Sequence, residues 1–123
     1  MSFKDKTIAV VGVSENKNKY GYKIFTSLVE NDYDVYGVNP KLASLNGEKI
    51  YHSLSEIPKK IDLVITVVPP AVSEEIVDEC HKLGINHIWF QPGSESEEAV
   101  KKAKGYGIET TEACFMVQNN IWK

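Results

Sequence analysis

The residues best suited to chemistry in this chain stand in five short groups: Gly12-Val13-Ser14, Asn39-Pro40-Lys41, Val68-Pro69-Pro70, Gln91-Pro92-Gly93 and Glu112-Ala113-Cys114. The first is the most informative. In "IAVVGVSENKNKYGYKIF" an apolar run stops at Gly12, a hydroxyl follows at Ser14, and a lysine-rich turn leads through Lys19-Tyr20-Gly21 into an amphipathic segment. Glycine allows close approach to the backbone. A helix N-terminus offers free N–H groups and the positive end of its dipole. Such a turn can hold an anion, most simply a phosphate, with Ser14, Lys17, Lys19 or Lys23 as further donors. The ligand-free alternative is a tight strand-to-helix turn in which Ser14 caps the helix.

Two familiar phosphate loops do not fit. A P-loop needs Gly-Lys and then Ser or Thr at a fixed distance from the first glycine, and that is missing after Gly12. The dinucleotide fingerprint needs glycines where Ser14 and Lys17 stand, and an acidic residue closing the second strand. Here that place holds Asn39-Pro40-Lys41. Lys41 puts a positive charge where a carboxylate would repel a phosphorylated ribose. The combination points to an adenine nucleotide with extra phosphate on its ribose.

These groups act together only if the fold brings them to one edge. Short β-branched runs at Thr7–Val11, Asp34–Val38, Leu63–Val68, His87–Phe90 and Ile108–Thr111 alternate with segments of helical period at Lys19–Asn31, Ala71–Leu83 and Glu97–Lys104. Gly84 is a stop signal for the second helix, and Ser94 and Ser96 are candidate caps for the third. The alternation predicts a single α/β domain: a doubly wound, five-stranded parallel sheet in a three-layer α/β/α arrangement. In such sheets ligands sit beyond the carboxyl ends of the strands, where the strand order reverses. The five groups are the residues just past the five predicted strands. The stretch "NPKLASLNGEKIYHSLSEIPKK" reads as an irregular crossover with a short helix near Ser55–Ile57, and the tail as a short helix packing Phe115, Met116 and Trp122.

A chain of 123 residues suits one domain. A net charge of -3 gives no nucleic-acid footprint, so an anionic ligand must be met locally. The apolar run Ile8–Val11 is too short for a signal peptide or a spanning helix, and a cytoplasmic protein without membrane contact is expected. Cys80 and Cys114 have no second pair to build a zinc or disulfide framework, so reduced thiols and no metal are expected. Cys80 lies on an apolar helical stripe and reads as core. His52, His81 and His87 fall outside the five groups, and no catalytic residue is assigned. The prolines of the groups double as ordinary punctuation.

In order, "VVGVS", "KYG", "VNPK", "VVPP", "WFQPG" and a cysteine after the fifth strand make the chain resemble the small single-domain CoA-binding proteins. These are relatives of the Rossmann-like domain at the front of the succinyl-CoA synthetase alpha subunit, and the likeness runs from Thr7 to Val117. It implies CoA or an acyl-CoA as ligand. By that resemblance Gly12, Val13, Ser14 and the Lys19-Tyr20-Gly21 turn hold the diphosphate. Asn39, Pro40 and Lys41 lie beside the adenosine and its 3′-phosphate, Val68 and Pro69 flank the adenine or ribose, and Gln91 and Gly93 face the pantetheine. Cys114 is either a packed thiol or a partner for the CoA thiol.

The synthetases carry a phosphorylated histidine in a second domain, for which nothing in this sequence answers. A non-catalytic binding, carrier or regulatory protein, monomeric or homodimeric, is the expectation. The alternatives are an NAD(P)-dependent oxidoreductase, for which the Asn-Pro-Lys ending suits NADP, and a synthetase subunit that needs a partner chain.

Overall fold

Each β-branched run forms a strand in the computed structural model, which describes residues 3–122. The order is β1 (Thr7–Val11), α1 (Tyr20–Glu30), β2 (Asp34–Val38), β3 (Ser44–Leu45), β4 (Glu48–Tyr51), a 3₁₀ turn (Leu54–Glu56), β5 (Leu63–Thr66), α2 (Pro70–Leu83), β6 (His87–Phe90), α3 (Glu97–Gly105), β7 (Glu109–Glu112) and α4 (Phe115–Gln118). The strands lie side by side as β3-β4-β2-β1-β5-β6-β7. All pairings are parallel except β3 with β4.

Every residue of β1 is buried, as a central strand with both faces covered requires. Its alternation feeds two cores. Ile8 and Val10 join Ile24, Phe25 and Leu28 of α1 and Phe115 and Met116 of α4 on one face. Ala9 and Val11 join Val77 and Cys80 of α2 and Ala99 and Ala103 of α3 on the other. Trp89 and Phe90 split between the two faces in the same way. The helices therefore cover both sides, giving the doubly wound three-layer arrangement. α2 ends at Gly84, where the N–H of Ile85 returns to Cys80 O at 2.9 Å.

The sheet has seven strands where five were expected. β3 and β4 form a hairpin inside the stretch read as irregular crossover, with Ser44 opposite Lys49 and Leu45 opposite Glu48. Its two-residue turn is Asn46-Gly47, at φ 51° and 83°. Two positive φ values define the primed hairpin turn for which Asn-Gly is the favoured sequence. The strands themselves are short and polar, and only Leu45 and Ile50 are buried.

β5 stops at Thr66, two residues earlier than expected: the Val67 N–H still donates to Val11 O of β1 at 2.8 Å, and the chain leaves the ladder at Val68. The Val68 N–H is taken by Ser94 Oγ at 2.9 Å. Among the described residues no helix is long and apolar enough to cross a membrane.

Candidate functional site

The strand order reverses between β1 and β5, so the loops leaving these two strands face each other across the carboxyl edge. Gly12 leaves β1 at φ 106°, and a β-carbon there would stand 2.2 Å from Val67 O. Its N–H and that of Val13 reach back to Val38 O at 3.0 and 3.3 Å. Nine residues on, a β-carbon at Gly21 would stand 2.0 Å from Gly12 O. Gly21 therefore lets the first turn of α1 rest directly on the end of β1, and Gly12 lets the loop after β5 approach the same point.

The intervening loop is held by its own side chains. Ser14 Oγ accepts from the Asn16 N–H and Asn16 Oδ1 from the Asn18 N–H, each at 3.0 Å. Ser14 is thus a turn-former and not the cap of α1. The cap position belongs to Lys19, which makes no side-chain cap bond. Its carbonyl accepts from the Tyr22 and Lys23 N–H groups, while those of Tyr20 and Gly21 find no acceptor among the described residues. α2 likewise starts from Pro69 with no side-chain cap. α3 is different: Ser96 Oγ accepts from the Ala99 N–H at 2.9 Å. The other candidate cap, Ser94, is buried and serves Val68 instead.

Around these elements lies a cleft of about 530 Å³. Ten of the thirteen residues assigned to a ligand from sequence line it: Gly12, Val13, Ser14, Lys19, Tyr20, Gly21, Asn39, Val68, Pro69 and Gly93. Asn39 spans the rim, its Nδ2 donating to Val13 O at 2.6 Å and its Oδ1 accepting from the Lys41 N–H at 2.7 Å. Pro40 and Lys41 are exposed beside it, outside the lining. Gln91 is buried elsewhere, its Oε1 accepting from the Phe115 N–H at 2.6 Å.

Asn18, Val67, Pro92 and Ser94 also line the cleft and were not assigned. Pro92 and Val67 adjoin assigned residues. Ser94 had a visible signal, a hydroxyl two residues before a second capping hydroxyl, but sequence cannot say which of the two caps.

Among the described residues, no histidine or carboxylate lines the cleft. His52 is exposed beside Glu56, 3.9 Å away. His81 stacks on Tyr106 with ring centres 3.8 Å apart. His87 sits at the start of β6, bonded to Thr111 Oγ1 at 3.1 Å, and burial holds its imidazole below the ordinary 6.5. Burial pushes the Cys80 thiol up to about 12. Cys114 is half-buried at the start of α4.

A doubly wound sheet with a glycine-lined cleft at its reversal point defines a Rossmann-like α/β domain. Within that class, the chain belongs to the CoA binding domain family, whose model matches residues 6–120. It is 31% identical over 122 residues to the alpha subunit of ADP-forming acetate–CoA ligase I from Pyrococcus furiosus, covering 86% of this chain and 26% of that one. It spans 11% of a related ligase from Methanocaldococcus jannaschii. A stand-alone relative is the uncharacterized protein YneT of Bacillus subtilis, 30% identical, with 98% of this chain and 90% of that one covered. Among solved structures, a conserved hypothetical protein from Pyrococcus furiosus superposes with a TM-score of 0.87 at 38% identity, covering 92% of this chain and 98% of that one.

Proposed function

We propose that the protein binds CoA, free or acylated, through its diphosphate at the carboxyl edge of the sheet, as a non-catalytic binding, carrier or regulatory protein. The start of α1 carries this reading. The Gly12–Gly21 contact fixes the helix N-terminus at the cleft wall with the Tyr20 and Gly21 N–H groups unclaimed. Donors of that kind, with the helix dipole behind them, favour a phosphate. Family membership and relatives named as CoA ligases support CoA as the bearer of that phosphate.

In this pose Val68 and Pro69 lie beside the adenine or ribose, Asn39 to Lys41 beside the 3′-phosphate, and Gly93 towards the pantetheine. Lys41 reaches the 3′-phosphate from the rim. The lining offers amide, hydroxyl and ammonium groups, which suit an anion. The likeness to ligase alpha subunits favours a second reading, in which a partner chain brings the catalytic group.

Amide shifts on adding CoA test the placement. The largest changes are expected at Gly12, Tyr20, Gly21 and Gly93. Changes centred on His87 and Glu109, at the opposite edge of the sheet, would overturn it.

A further inference from the structure

A second chamber, of about 260 Å³, adjoins the cleft and shares Tyr20, Val67 and Pro92 with it. Cys114, Val117 and Trp122 form its far side. Its one carboxamide belongs to Gln91, which is 3% exposed. The oxygen of that amide is committed to the Phe115 N–H, and the nitrogen has no acceptor among the described residues. The nitrogen is not sealed within the protein either, so the space it reaches is the chamber. An amide NH₂ there is a donor waiting for a carbonyl.

Resting on the CoA reading above, we propose that this chamber is an acyl subsite. It takes the thiol end of the ligand with a short unbranched apolar acyl group, and a carbonyl of that arm accepts from Gln91 Nε2. The shared residues place the chamber next along from the diphosphate. Its apolar walls favour methylene groups over water, and each methylene buried strengthens binding about fourfold. With two more methylenes, butyryl-CoA should therefore bind about fifteenfold more tightly than acetyl-CoA.

The test titrates acetyl-CoA and butyryl-CoA into the native protein and into Val117→Phe, a substitution at a 51% exposed position that fills the chamber. In parallel, alkylation of Cys114 by iodoacetamide is followed by mass spectrometry, with the fully buried Cys80 as the unreactive internal control. The expected result is a preference of about fifteenfold for butyryl-CoA that Val117→Phe abolishes, with Cys114 shielded by butyryl-CoA and not by ADP, which has the diphosphate but no arm. Equal affinity for the two thioesters, a preference that survives Val117→Phe, or Cys114 labelling unslowed by butyryl-CoA would each overturn the subsite while leaving CoA binding intact. Absence of binding by any CoA species would overturn both.

Discussion

The α-carbon of Gly21 packs against the carbonyl of Gly12 so closely that a β-carbon would lie 2.0 Å from its oxygen. This contact joins the first strand to the first helix, and on it depends where the helix N-terminus points. Gly21→Ala must push helix and strand apart. The expected outcome is a loss of about 1–3 kcal/mol of stability, measured by urea denaturation, together with at least a tenfold loss of CoA affinity. Gly105→Ala, at a helical position with nothing within 4 Å, should instead be neutral or stabilising by about 0.4–1 kcal/mol.

Ser94 is the strut between the ends of β5 and β6. Its hydroxyl, itself buried, satisfies the part-buried Val68 N–H, and Ser94→Ala leaves that donor without its protein partner. A cost of about 1–3 kcal/mol is expected. CoA binding should weaken as well, because Val68 and Ser94 both line the cleft.

Ser96 separates stability from binding. It caps α3 away from the cleft lining, so Ser96→Ala should cost about 1 kcal/mol and leave CoA affinity unchanged. Urea denaturation and titration of the same variant check both halves.

His87 makes stability depend on pH. Burial lowers its pKa in the fold, while Glu109, 3.8 Å away, opposes the shift with a smaller effect. The unfolded chain then takes up the proton first. This contribution is present above about 6.5 and is lost as pH falls through the lower folded value. Between pH 7.5 and 5 the native protein should lose more stability than His87→Gln; an equal loss would contradict the assignment.

How far the sequence reveals this molecule depends on what each element buries. β1, β5 and β6 show as β-branched runs because both faces are covered, and α1 and α2 show as stripes because each covers one face. β3 and β4 bury only Leu45 and Ile50, so hydrophobic pattern alone passes over them. The Asn46-Gly47 pair was their one strong local signal. At the site, glycines and strand-end residues were legible from the rule that ligands sit at the carboxyl edge. The division of labour between Ser94 and Ser96 was not, because it is decided by a contact across 26 residues, Val68 to Ser94. Gln91 was assigned to a ligand by position, and the structure commits half of its amide to the start of α4.

The most direct test of the central claim is calorimetric titration of the reduced protein with CoA, 3′-dephospho-CoA and NADP, repeated on Lys41→Ala. CoA is expected to bind with a dissociation constant on the order of 1 μM. Affinity should fall on losing either the 3′-phosphate or the lysine, and NADP should bind far more weakly. Binding of NADP without CoA, or CoA binding indifferent to both changes, would contradict it.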